Sequence, residues 1–177
     1  EYLARTADIQ PHMVHFIENH DEPRAAARLP LDQALAAGAI MATLPGANLI
    51  HHGQIEGKRV KIPVQLSRGP NETPNPLATA FYDRLYASFK KTSRYYGTWS
   101  IHECDNPGFI SYDWHNDGEI VTFVANYTGM ADRFSLPSGV SYMNLAHDDT
   151  PITTDASGGR AIVEMTPWQV SLLARSD

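Results

Sequence analysis

Apolar and polar positions follow two regimes along this chain. Up to about residue 93, short apolar runs alternate with helix-spaced patterns; beyond it, short β-rich runs are separated by turns. Met13-Val-His-Phe-Ile17 is a short, mostly apolar run, which predicts a strand covered on both faces. The stretch "DEPRAAARL" predicts a helix start: Asp21 or Glu22 can cap, Pro23 fits the first helical position, and Ala25 to Ala27 are strong helix formers. A second helix is predicted over "LDQALAAGAIMATL", with Leu31, Leu35, Ile40 and Leu44 near helical spacing, and Pro45-Gly46 stops it. Ala47 to His52 reads as another strand, entering the polar loop "GQIEGKRV". In "PLATAFYDRLYASFKK", Leu77, Phe81, Leu85 and Phe89 mark one helical face, and Lys90 and Lys91 suit the negative end of the helix dipole. Strand, helices, strand, helix is the rhythm of an α/β layer or barrel.

The second regime contains "FISYDW", "EIVTFVANY", "RFSL", "VSYMNLA", "RAIVEM" and "WQVSLLA". Asn116-Asp117-Gly118, Pro137-Ser138-Gly139 and Ser157-Gly158-Gly159 provide turns between them. No helical pattern intrudes, so a small antiparallel sandwich is expected, with the boundary in "KKTSRYYGTW". The expected fold class is α/β plus all-β, with residues 1–93 and 94–177 as its two parts.

Composition narrows the function. With 177 residues, 42% of them apolar, the chain can build a sizeable core in one large domain or two small ones. A net charge of -6 gives no attraction to phosphate backbones, so nucleic acid is not an expected partner. No apolar stretch approaches the roughly 20 residues of a membrane span, and no membrane partner is expected. Cys104 stands alone, which excludes an intrachain disulfide and a multi-cysteine zinc site; a single cysteine is compatible with the cytosol and leaves localisation open. The opening Glu1-Tyr2-Leu3 lacks an initiator methionine, and a piece of a longer polypeptide is the expectation.

The polar groups ending the first predicted strand are the candidate chemistry. If that strand stays regular, Asn19 and Asp21 share one face and Glu18 and His20 the other. A carboxylate at the tip of a parallel strand is where α/β and barrel enzymes place their chemistry. The competing reading makes Asp21 and Glu22 helix caps and lets His20 satisfy a loop carbonyl. A metal reading through His20, Asp21, His51 and His52 has the right ligand types but lacks a tight spacing such as His-x-x-x-His.

"FIENHDEPR" resembles the strand-seven motif of the α-amylase superfamily, glycoside hydrolase family 13, in which Phe and two variable residues precede Asn-His-Asp. Phe16, Asn19, His20 and Asp21 match it position by position. "LPGANLIHHGQIEG" resembles that family's next strand, where Pro-Gly leads to a strand ending in a polar, Gly-containing loop. A helix and a C-terminal antiparallel sandwich follow there, in the order read above. The resemblance implies the last two strands of a (β/α)8 barrel followed by the sandwich. It implies that Asp21 is the third carboxylate of the catalytic trio, binding sugar hydroxyls and stabilising the transition state. His20 then hydrogen-bonds the sugar beside the scissile bond, and Asn19 supports them. An oxocarbenium-like transition state gains from such hydrogen bonds as charge develops.

The chain departs from the family where His51-His52 replace an aromatic pair, and where Ile55 stands at a common glutamate position with Glu56 one residue later. No segment matches the two earlier motifs that carry the nucleophile and the acid, which a retaining glycosidase holds about 5 Å apart. The expected partners are therefore an α-glucan or oligosaccharide and the N-terminal remainder of the same enzyme; alone, the chain should be inactive. No cofactor and no metal are expected, because the family's usual calcium ligands lie in a region outside this chain. The alternative is a non-catalytic glycan-binding or interaction module of the same fold.

Weaker features remain. Trp99, Trp114 and Trp168 can be core residues or a sugar-stacking platform. Asn71-Glu72-Thr73 and Asn126-Tyr127-Thr128 fit the N-glycosylation acceptor pattern, although Asn126 falls inside a predicted strand. Lys58, Arg59 and Lys61 read as a solvated loop face able to contact an anionic sugar.

Overall fold

The computed structural model describes residues 2–66, 68–92, 97–102, 104, 106–136, 141–144, 150–153 and 161–176. A short helix α1 (Tyr2–Arg5) and a 3-10 turn at Gln10–His12 precede strand β1 (Val14–His15). Helices α2 (Ala25–Arg28) and α3 (Leu31–Thr43) lead to β2 (Ala47–Asn48), and α4 (Pro76–Phe89) follows. Among the described residues eight further strands come next: β3 (Thr98–Ile101), β4 (Phe109–Asn116), β5 (Glu119–Asn126), β6 (Asp132–Leu136), β7 (Ser141–Asn144), β8 (Thr150–Thr153), β9 (Ala161–Met165) and β10 (Val170–Ser176). Two compact units result, Asp8–Asp83 and Arg84–Asp177 with Glu1–Ala7. The division falls inside α4; the boundary expected at residues 93–94 lies outside the described residues.

In the Asp8–Asp83 unit, β1 and β2 pair in parallel, Val14 opposite Ala47 and His15 opposite Asn48. The strands are shorter than the runs Met13–Ile17 and Ala47–His52 that predict them. A strand persists only as far as a neighbour completes its ladder, and these two have each other alone among the described residues. Gly46, at φ +103°, makes the entry to β2: a Cβ there would fall 2.6 Å from the carbonyl oxygens of both Gln10 and Met13. The close approach lets Ala47 N–H bond Met13 O at 3.0 Å and start the pairing.

Helices α3 and α4 follow their predicted spans, and of the predicted faces Leu44, Leu85 and Phe89 are buried, while the rest of each buried face is turned toward other positions. In α3 the buried positions are Ala34, Ala36, Gly38, Ala39, Met41, Ala42 and Thr43, with Leu35 and Ile40 only half-buried. In α4 Leu77 is 67% exposed, and the buried stripe runs through Ala78, Tyr82, Leu85 and Phe89. Tyr82 explains the rotation. Its hydroxyl accepts a bond from Gln54 Nε2 at 3.2 Å, and its ring occupies space that a side chain at Gly38 would fill.

In the other unit every pairing among the described strands is antiparallel. Six strands pair in the order β3-β4-β5-β10-β7-β8, and β6 and β9 form a separate two-stranded ribbon. The β4–β5 hairpin is in register from Phe109–Asn126 to Asn116–Glu119 and turns through Asp117-Gly118, both at positive φ. Alternation along β4 puts Phe109, Ser111 and Asp113 on one face and Tyr112 and Trp114 on the other. On the first face Phe109, Val124, Tyr142 and Leu173 share a core with Leu136 of β6 and Met165 of β9. The second face is also buried: Tyr112 stacks on Phe123 with centroids 4.8 Å apart, and Val121 is fully enclosed. Full burial of each such side chain contributes about 1.5–3 kcal/mol. No helix of the described residues is long and apolar enough to cross a membrane.

Candidate sugar site at the end of the first strand

Beyond His15 the chain leaves the strand, so the regular alternation expected from Glu18 to Asp21 does not hold. Glu18 turns inward and is 1% exposed, whereas the side chains of His20 and Asp21 are 58% and 79% exposed. His20 Nε2 lies 3.3 Å from Asp21 Oδ2, so the two outward groups form a contiguous polar pair. Asn19 is half-buried, and its Oδ1 accepts the backbone N–H groups of Asp21 and Glu22 at 2.8 and 2.9 Å. That side chain closes a tight turn and fixes the backbone of the acid two residues on.

Underneath lies an arrangement the sequence reading missed. Glu18 Oε1 is 2.9 Å from Arg24 Nη2, with both side chains almost wholly enclosed, at 1% and 4% exposure. The contact is an ion pair without an aligned hydrogen bond between those atoms. Glu18 Oε2 accepts the N–H of Ala25 at 2.6 Å, so Glu18 caps α2. Asp21 and Glu22, the expected caps, do not: Arg24 is the N-cap residue, and the helix begins at Ala25, past Pro23. A carboxylate near a helix N-terminus is also favoured by the helix dipole. The available signal was the spacing of an acid and an arginine around Asn-His-Asp, which reads as two solvated charges when strand alternation is assumed.

The second motif supplies the roof over Arg24. Gly53 is buried at φ +89°, and a Cβ there would lie 2.7 Å from Arg24 Nη2. Arg24 Nε donates to Lys58 O at 3.3 Å, and Lys61 Nζ donates to the carbonyl of Asp21. The basic loop is therefore tied to the candidate acid's backbone and is only partly a free solvated face. Glu72 accepts the N–H groups of Arg59 and Val60 at 2.6 and 3.1 Å and holds the loop from outside. The pKa of His51 is lowered, first by burial and then by the Arg24 charge, which favours the neutral ring.

His20, Asp21, His51 and His52 do not converge on a metal position, and no group of three or more His, Cys, Asp or Glu does so among the described residues. The tryptophans form no joint platform: Trp114 is buried, Trp99 pairs opposite it and packs on Tyr112 at 5.6 Å, and Trp168 sits in the turn before β10. Asn126, the second glycosylation candidate, is fully buried and hydrogen-bonded, which rules out a glycan on the folded chain.

No family model matches the chain, and no curated protein matches it by sequence. Solved structures do match its fold. The noncanonic maltogenic α-amylase AmyB from Thermotoga neapolitana aligns over 97% of this chain and 44% of its own, with a TM-score of 0.77 at 20% identity. The α-amylase from Geobacillus thermoleovorans, solved with acarbose, aligns over 93% of this chain and 39% of its own, with a TM-score of 0.78 at 14% identity. The trehalulose synthase MutB from Pseudomonas mesoacidophila MX-45 aligns over 92% and 43%, with a TM-score of 0.66 at 19% identity. The chain thus spans about two fifths of the structures it matches. Its fold is that of α-amylase-like enzymes over a part of their length consistent with the C-terminal portion.

Proposed function

We propose that this chain is the C-terminal part of a retaining α-glycosidase or transglycosylase acting on α-linked glucosides. Residues 1–93 correspond to the last two strands of a (β/α)8 barrel with their helices, and residues 94–177 to its antiparallel β-sandwich. Asp21 is the third carboxylate, stabilising the oxocarbenium-like transition state through sugar hydroxyls; His20 hydrogen-bonds the same sugar, and Asn19 holds the turn. The observation carrying this reading is the outward-facing His20–Asp21 pair just past a parallel strand, on a base fixed by the Glu18–Arg24 pair. Preorganised polar groups aimed where charge develops are the largest usual source of catalysis.

The open flank of β1 supports the same reading. Val14 and Phe16 are 57% and 48% exposed, beside an apolar groove lined by Ile17, Ile40, Met41 and Leu44. Large apolar side chains at the edge of a parallel pair are what an incomplete barrel leaves uncovered. The nucleophile and the acid, with the N-terminal remainder that bears them, belong outside these residues.

The experiment joins the chain to the N-terminal part of its parent polypeptide and assays oligoglucoside conversion before and after Asp21→Asn. Losing one transition-state contact costs about 10²–10³ in kcat. Activity unchanged in Asp21→Asn would remove the catalytic assignment.

A further inference from the structure

Asp113 occupies a position that its strand would normally give to an apolar side chain. It lies in the core-facing row of β4 with Phe109 and Ser111, opposite Thr122 of β5, and is 9% exposed. Leaving a carboxylate there is costly unless it has partners. His102 Nε2 lies 2.9 Å from Oδ2 and His115 Nε2 lies 3.7 Å from the same oxygen. The carboxylate also takes a bond from the Thr122 side chain, and Oδ1 is enclosed with no aligned hydrogen bond among the described residues. It borders a cavity of about 200 Å³ between the six-stranded sheet and β6. Ile120, Phe134 and Leu136 give this cavity an apolar wall, and Tyr142 and Arg175 bring polar groups to it.

We propose that this cavity is a second ligand site, built to take one pyranose ring of a neutral sugar. Oδ1 can take a further donor, and the exposed Arg175 guanidinium can donate to an acceptor. Adjacent hydroxyls on one ring supply both, since each hydroxyl donates and accepts. The apolar wall suits the C–H face of such a ring. An ammonium group is disfavoured: His102, whose pKa is raised chiefly by its hydrogen bond to Asp113, already compensates the carboxylate, and Arg175 would repel a cation. The proposal is independent of the role given to Asp21, because every residue named belongs to the Arg84–Asp177 unit.

The test titrates the isotope-labelled 177-residue chain with methyl α-glucoside and with maltose, following amide and histidine-ring resonances by NMR. Saturable shifts centred on His102, Ser111 and Thr122 are expected with at least one sugar. Equal affinity for both marks a site for a single free ring, and tighter maltose binding marks a site for a chain end; either supports the proposal. Asp113→Asn should weaken binding tenfold or more, and the exposed Arg175→Ala severalfold. Should Asp113→Asn fail to fold, Arg175→Ala carries the test, and unchanged affinity there overturns the proposal. So does the absence of saturation with both sugars. Shifts that vanish in Asp21→Asn would place the sugar at the first site and overturn the second.

Discussion

Glu18 caps the helix that begins at Ala25, its Oε2 accepting that residue's N–H at 2.6 Å while its Oε1 faces Arg24 at 2.9 Å. The acid inside the Phe-Ile-Glu-Asn-His-Asp run is therefore the support, and the acid at its end is the one presented to solvent. Removing one partner of a buried pair leaves the other charged and unsolvated, at a cost of about 3–5 kcal/mol. Glu18→Ala should lower stability by about that amount, with loss of the cap included. Arg24→Ala should do the same, and the double variant should cost less than the two singles together. Urea unfolding of the three variants checks this; strictly additive losses would show that the pair is not coupled.

Asn19 predicts a finer distinction. Its side chain accepts two backbone N–H groups and donates nothing that the turn requires. Asn19→Asp should therefore keep the turn, whereas Asn19→Ala should cost about 1 kcal/mol. In the joined enzyme Asn19→Ala should lower kcat more than it raises KM, because it loosens the backbone of Asp21 without removing a sugar contact. Steady-state kinetics on oligoglucosides with the two variants would reveal the split.

The exposed flank of the parallel pair gives a third expectation. Val14, Phe16, Leu49 and Ile50 are 39–57% exposed, a larger grouped apolar surface than isolated surface residues present. On its own the chain should self-associate with rising concentration, and Val14→Ser with Leu49→Ser should reduce this while changing stability by no more than about 0.5 kcal/mol. Sedimentation velocity over a concentration series measures it. A monomer at all concentrations before substitution would mean that the flank is not adhesive.

Much of this architecture was legible because its signals are local. Helices α3 and α4 announce themselves through period and stop signals, and the β4–β5 hairpin through Asn116-Asp117-Gly118 between two apolar runs. The helix faces were misread where small residues carry the packing. Ala78 is buried and Leu77 exposed because Tyr82 fills the space against Gly38, and apolar spacing weighs a leucine above an alanine. In the candidate site, Asn19, His20 and Asp21 were legible as a motif, but Glu18 and Arg24 were not: their partnership depends on the chain leaving the strand after His15. The cavity beside Asp113 was invisible for another reason. Its walls come from positions scattered between His102 and Arg175, which no local spacing brings together.

Asn126 shows how a short motif can mislead in the same way. Its Nδ2 donates to Met130 O at 2.8 Å and to Thr166 O at 3.1 Å, and its Oδ1 accepts from Thr128 N and Oγ1 at 3.0 and 2.9 Å. The triplet that resembles a glycosylation acceptor is the corner that closes β5 onto the turn before β10. Asn126→Ala should cost about 3 kcal/mol, since it strands several buried groups at once. Expression in a glycosylating host should leave Asn126 unmodified on folded protein. Denaturant unfolding and the intact mass of the tryptic peptide check the two halves of the expectation.

The His102–Asp113 pair sets the pH response of the sheet unit. His102 has its pKa raised by the hydrogen bond to Asp113, against the opposing effect of burial. For a base held above its ordinary value of 6.5, the stabilisation is complete below that value and is lost as pH rises through the higher folded value. Asp113 is shifted the other way. Burial, the largest single influence, would raise it, but the bonds from His102 and Thr122 and the charges of His102 and His115 together bring it below 3.8. Its stabilisation is present above 3.8 and is lost as pH falls through the lower folded value. From this pair the sheet unit should be most stable between about pH 4 and 6, losing stability on the alkaline side first as His102 gives up its proton. Thermal melts from pH 3 to 9 should show that fall, and His102→Gln should flatten its alkaline limb and also weaken the acid one, because His102 supplies the largest of the influences that lower Asp113. An alkaline fall of the same size in His102→Gln would assign it to another group.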